Sequence, residues 1–145
     1  ILDKLSKLFD IVENKRNEVA TREQARPLES WQASVTRCEP AGAFKHALET
    51  SGHLNNPVKL VLEIKPKSPS SGQLADSEDL SPENLETLVK IYSHFAAGIS
   101  VLTDEKYFGG SLALLRQIAS LTNTPLLCKD FILSPYQVFE AREAG

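Results

Sequence analysis

Apolar residues recur at steps of three and four at the start of the chain. Ile1, Leu5, Leu8, Val12 and Val19 form one stripe over residues 1–22, interrupted only near Lys15, and this spacing predicts an amphipathic helix. Pro27 predicts the opening of a second short helix through Trp31, and Phe44 to Leu48 predict a third. Gly52 and Asn55-Asn56-Pro57 then break the chain. From residue 59 the period changes. Residues 59–65 alternate as a strand, with Leu60, Leu62 and Ile64 on one face and Val61, Glu63 and Lys65 on the other. Residues 66–80, rich in Ser, Pro, Gly and Asp, predict a long loop. Ser81 is the expected N-cap and Pro82 the first residue of a helix reaching about Ala97, with Gly98 as its stop. Residues 99–103 predict a second strand, 111–121 a helix opened by Ser111, and 125–130 a third strand. Ser134, followed by Pro135, is the expected cap of a last helix running to Gly145.

Strands that alternate with helices imply a parallel sheet covered by helices. The first strand places Glu63 and Lys65 on the face opposite its apolar residues, at its C-terminal end. The third strand repeats the plan, with Leu126 and Cys128 on one face and Leu127, Lys129 and Phe131 on the other. Charges aimed inward at strand ends are costly unless paired or used, and in a barrel that end opens into the active site. A doubly wound sheet is the competing architecture, but no segment resembles its glycine-rich dinucleotide turn. The expected fold is therefore a (βα)8 TIM barrel. Residues 1–58 would form a helical extension and residues 59–145 the first three βα units of a single barrel domain.

Composition narrows the partners. Of 145 residues, 41% are hydrophobic and 24% charged, as in an ordinary globular protein. The net charge of −3 argues against nucleic acid or an acidic membrane surface. No apolar run approaches the roughly 18 residues of a membrane span. Cys38 and Cys128 have no metal-like spacing, which suits a reduced, cytoplasmic setting. The chain has no methionine and begins at Ile1, so a start further upstream is expected. A complete barrel takes about 250 residues, so a fourth strand is expected after Gly145.

Three segments carry candidate chemistry: EIKPKSPSSG (63–72), ISVLTDEKYFGGS (99–111) and PLLCKDFILSPYQ (125–137). Each occupies a strand's C-terminal end or the loop that follows it. In this order and spacing, and with KRNEV (15–19) and FKHAL (44–48) before them, the chain resembles the indole-3-glycerol-phosphate synthases. The resemblance implies a decarboxylating carbon–carbon lyase of tryptophan biosynthesis that needs neither cofactor nor metal. Its substrate is 1-(2-carboxyphenylamino)-1-deoxyribulose 5-phosphate. It also allows fusion or association with other enzymes of that pathway, such as phosphoribosylanthranilate isomerase.

Residue by residue, the resemblance makes Lys129 the general acid of ring closure. Beside Phe131 at an inward strand end, its ammonium pKa would be lowered by partial desolvation. Lys65 becomes the lysine that engages the anionic substrate, and Glu63 the carboxylate that orients a lysine; the plain alternative is a structural ion pair. Ser68 and Pro69 match the loop after the first strand, where a hydroxyl and loop amides suit an oxyanion. The basic residue that the family often carries near Ser71 is absent. Phe108 and Phe131 become apolar walls around the aromatic ring, although aromatics at strand ends commonly belong to the core. Asp104, Glu105 and Lys106 read as a solvated turn, and Asp130 as structural. His46, His53 and His94 carry no assigned chemistry. Two other readings stay open: a phosphate-binding barrel aldolase forming a Schiff base through Lys129, and a fragment that is inactive alone and serves only as a structural or assembly piece.

Overall fold

A computed structural model describes residues 2–35, 41–49, 58–69, 72–74 and 80–145. Cys38, His53, Ser71 and the expected break at Gly52 and Asn55–Pro57 lie outside the described residues, as do Ile1 and the Leu5 side chain. The chain divides into two compact units, residues 1–39 with 131–143, and residues 40–130 with 144–145.

The first unit is helical. It contains α1 (Leu2–Ala25), α2 (Leu28–Val35) and the last helix of the chain. The face α1 buries differs from the expected stripe. Leu8 is 45% exposed, whereas Ile11, Lys15 and Val19, spaced four apart, are buried. The line therefore passes through Lys15 rather than being broken by it, and the lysine enters the interior paired with Glu18 at 2.8 Å. Val19 and Trp31 pack with Tyr136 of the last helix, with Leu28 and Phe139 at the margin. Arg22 grips the buried Glu140 with two hydrogen bonds of 2.9 and 3.1 Å, and the Tyr136 hydroxyl donates to the Arg22 carbonyl oxygen at 3.0 Å. Arg26 lies 3.4 Å above the Trp31 ring and bonds Glu143.

The second unit opens with α3 (Ala43–Glu49) and holds the sheet. In chain order its elements are β1 (Val61–Ile64), β2 (Lys67–Ser68), β3 (Gly72–Gln73), α4 (Pro82–Phe95), β4 (Gly98–Leu102), α5 (Glu105–Phe108), α6 (Leu112–Leu121) and β5 (Leu126–Lys129); the first unit's α7 (Pro135–Glu143) follows. β1, β4 and β5 form a parallel sheet in the order β1-β4-β5. Its apolar face and the helices enclose Ile64, Leu85, Val89, Ile99, Val101, Leu115 and Ile118. Burial of this set is the main stabilising contribution of the unit. The described chain is thus α/β with a parallel sheet and covering helices.

The caps follow the expected chemistry. The Ser81 hydroxyl accepts from Asn84 N–H with Pro82 just inside α4, and the Ser111 hydroxyl accepts from Leu114 N–H at α6. Several element ends shift by a few residues, and four differences bear on the frame of the sheet. First, α4 ends at Phe95 with Ala96 already extended, so Gly98 does not stop a helix. It is the first residue of β4, where a Cβ would collide with the Phe44 ring of α3. Second, the stretch 66–80 contains the short antiparallel hairpin β2–β3, pairing Lys67 with Gln73 and Ser68 with Gly72. Third, the expected solvated turn at Asp104 is α5. Asp104 is fully buried, and its Oδ1 accepts from Tyr107 N–H at 2.8 Å and Phe108 N–H at 3.2 Å. Fourth, α7 stops at Glu143 and not at Gly145.

Candidate active site

The register of the sheet decides which side chains can meet. Glu63 on β1 lies level with Ser100 on β4, and Ser100 lies level with Leu127 on β5. Lys129 lies one pleat further on, level with Leu102. Because Ile99 and Val101 enter the core beneath the helices, Ser100 and Leu102 point to the opposite face. Glu63 and Lys129 share that face, and so does Lys65 just beyond the end of β1.

Glu63 is the hub of the three. Its Oε1 pairs with Lys65 Nζ at 3.0 Å. Its Oε2 accepts a hydrogen bond from Lys129 Nζ, which reaches back across β4. Burial alone would push the Glu63 carboxyl up. The hydrogen bonds and charges of Lys129 and Lys65 outweigh it and hold the carboxyl below its ordinary value of 4.5. The Lys129 side chain is 52% exposed in this unit, and its immediate neighbour is a carboxylate.

The loops that leave β1 and β4 meet beside this cluster. Lys67 Nζ donates to the Lys106 carbonyl oxygen at 2.7 Å, joining the hairpin to α5. Gly109 ends α5 with φ +68°, a left-handed conformation that glycine adopts without strain, and packs against Lys67 and Pro66. Gly110 follows so close to β4 that a Cβ would overlap the Leu102 carbonyl. Phe108 closes α5 with its backbone tied to Asp104, half-buried. Ser68 belongs to β2, and Pro69 to the turn after it.

Glu63, Lys65 and Lys129 are therefore brought into one contact network, and Ser68, Pro69 and Phe108 onto the loops that leave β1 and β4. Phe131 groups with the first unit, where its carbonyl oxygen accepts from Gln137 Nε2 at 2.9 Å.

Two residues of this region carry no role in the sequence reading. Thr103 donates through Oγ1 to Asp130 Oδ2 at 2.9 Å and lies 3.3 Å from Cys128 Sγ. Ser100 is 5% exposed, with a buried hydroxyl that has no hydrogen-bond partner among the described residues. Its signal in the sequence is faint: one hydroxyl residue in the otherwise apolar run ISVL, at alternate parity to Ile99 and Val101.

A lysine–carboxylate–lysine cluster at the C-terminal ends of parallel strands can bind anionic groups and move a proton. Among the described residues no group of three His, Cys, Asp or Glu side chains could hold a metal ion, and no helix is long and apolar enough to cross a membrane.

Comparison with known proteins adds the lineage. The family model described as indole-3-glycerol phosphate synthase matches residues 8–145. An indole-3-glycerol phosphate synthase of Nocardioides sp. is 39% identical over 97% of this chain and 51% of its own length. One from Bacteroides thetaiotaomicron is 35% identical over 95% of this chain and 50% of its own. The tryptophan biosynthesis protein TrpCF of Yersinia pestis is 38% identical over 93% of this chain and 26% of its own. The chain thus spans between about a quarter and a half of the length of these relatives. With its parallel strands and the three segments 63–72, 99–111 and 125–137 inside the matched region, the chain belongs to the indole-3-glycerol phosphate synthase family.

Proposed function

We propose that the protein carrying this chain converts 1-(2-carboxyphenylamino)-1-deoxyribulose 5-phosphate to indole-3-glycerol phosphate in the cytoplasm, as a step of tryptophan biosynthesis. The observation that carries the reading is Glu63 holding Lys65 on one carboxylate oxygen and Lys129 on the other. On this reading the described sheet is the opening part of a (βα)8 barrel. Residues 1–58 are its helical extension, and residues 59–145 supply three βα units. The remaining strands and the phosphate grip come from the rest of the protein. Relatives named TrpCF support an association with other enzymes of the same pathway.

The chemistry follows from the charges. The aromatic carbon bearing the carboxylate attacks the ribulose carbonyl carbon, and a new carbon–carbon bond forms. The carbonyl π electrons move to oxygen, and the Lys129 ammonium delivers a proton there. Breaking the carbon–carboxylate bond releases carbon dioxide and restores the ring electrons. Loss of the new hydroxyl together with a proton from the adjacent CH2 carbon releases water and completes the indole, and Lys129 regains its proton from solvent. Lys65 pairs with an anionic group of the substrate, and Glu63 keeps both ammonium groups aimed at the same space. Ser68 with the loop around Pro69 suits an oxyanion, while Phe108 and Phe131 suit the aromatic ring.

Lys129→Ala in the intact protein is the test. Removing a general acid typically lowers the rate about 10²- to 10⁴-fold. A steady-state assay of indole fluorescence is expected to show such a loss with the fold retained. Near-normal turnover would overturn the assignment.

A further inference from the structure

The cluster just described leaves one buried polar group unused. Ser100 sits in β4 between Glu63 on one side and Leu127 on the other, level with both. Adjacent strands lie about 4.8 Å apart, so the Ser100 hydroxyl and the Glu63 side chain rise from neighbouring points of the same face. The hydroxyl is buried and has no hydrogen-bond partner among the described residues. Such a group is unfavourable in a resting structure. Glu63 meanwhile has one lysine on each oxygen, and a carboxylate oxygen can accept more than one hydrogen bond.

We propose that Ser100 is a positioning residue for Glu63, a reserve donor that bonds the carboxylate when Lys65 or Lys129 turns from it to the substrate. The inference rests on the reading of the site given above and extends it to a residue that does not touch the reacting atoms. At the moment Lys129 gives up its proton, Glu63 loses a charged partner. A carboxylate left with one donor would be free to rotate and carry Lys65 out of line. A hydroxyl on the adjacent strand supplies the missing bond without adding a charge that would compete for the anionic substrate. Lys65 and Lys129 are the charged groups that face Glu63 in the described structure. At this level β4 contributes Ser100 alone.

Ser100→Ala in the intact protein separates this role from a structural one. If the hydroxyl is idle until turnover, its removal leaves the melting temperature unchanged or raises it. The same variant is expected to lower kcat about tenfold with KM nearly unchanged. The acid limb of the kcat–pH profile is expected to move upward, because Glu63 in the working state has lost a donor that favours its charged form. Ser100→Cys, of nearly the same size but a weak donor, provides a second variant and is expected to fall between Ala and the parent. Parent kcat and an unmoved acid limb in both variants would overturn the proposal. So would a raised KM at parent kcat, which would place the hydroxyl on the substrate instead. The unsubstituted protein and Lys129→Ala are assayed alongside. A parent without synthase activity, or an active Lys129→Ala, would sink the underlying reading; an unaffected Ser100→Ala beside an inactive Lys129→Ala would sink this inference alone.

Discussion

Replacing Glu63 by glutamine preserves the shape of the side chain and one acceptor oxygen but turns the other into an NH₂ group facing an ammonium. The two lysines must then share a single oxygen without the charge that drew them together. The loss of stability is small. The ion pair to Lys65 spans 3.0 Å, the Glu63 side chain is 28% exposed and that of Lys129 is 52% exposed. Coulomb's law in water-like surroundings gives about 1.4 kcal/mol at 3 Å. Partly exposed pairs measure about 0.2–1 kcal/mol after side-chain ordering is counted. Two such pairs amount to about 1 kcal/mol, or about 2–4 °C in the melting temperature of a domain of about 150–250 residues. On the proposed function the catalytic effect is larger, because a misplacement of about 1 Å can cost about 10²-fold in rate. Glu63→Gln is therefore expected to lose about two orders of magnitude in kcat and little else, read by steady-state kinetics and thermal melts at pH 7. The pH dependence has a definite sign. The folded-state Glu63 carboxyl lies below its ordinary value of 4.5. Its stabilising contribution is thus fully present above that value and is lost as pH falls through the lower folded-state value. The melting temperatures of parent and variant should converge under acid. A kcat within twofold of the parent, or a gap that stays constant through the acid range, would refute the reasoning.

Two further outcomes test the frame around the cluster. Gly110→Ala places a methyl inside the Leu102 carbonyl, a backbone group of a buried strand that cannot step aside; a loss of about 3 kcal/mol or more is expected by denaturant unfolding, at the upper end of overpacking penalties. Asp104→Ala removes the cap from α5 and leaves two N–H groups without their acceptor, so a loss of about 2 kcal/mol is expected, with Asp104→Asn recovering most of it.

Much of the fold can be read locally because its signals are local. Ser81-Pro82 and Ser111 start helices by satisfying nearby N–H groups, and the alternation of residues 59–65 separates the core face from the charged face. The misses are places where partners lie far along the chain or segments are too short to show a period. Two-residue strands have none, so the hairpin Lys67–Ser68 with Gly72–Gln73 reads as loop. A four-residue helix depends on its cap, and Asp104 between Thr103 and Glu105 resembles any polar turn. Lys15 is a different case: it interrupts an apolar stripe by composition, yet its ammonium is buried with Glu18, three residues on in the same helix, as its partner. At the site, the pairing of Glu63 with Lys65 follows from two-residue spacing on one strand. The bond from Lys129 does not, because it needs the register of two strand pairs.

That register also gives Asp130 a structural part, away from the cluster. Lys129 and Asp130 alternate, so a one-residue slip of β5 against β4 would turn Lys129 toward the helices and Asp130 toward Glu63. Bonds at both ends of the strand oppose the slip. At the start, Ile99 N–H donates to the Pro125 carbonyl at 2.9 Å; at the end, Thr103 N–H donates to the Lys129 carbonyl at 3.1 Å. These backbone bonds alone would reform after a shift of two residues. The bond from the Thr103 hydroxyl to the Asp130 carboxylate would not, because it joins two particular side chains. Asp130 thus faces away from the cluster and, through Thr103, keeps its neighbour Lys129 facing Glu63. The carboxylate that touches the lysines and the carboxylate that keeps one of them in register are separate groups, on opposite faces of one sheet.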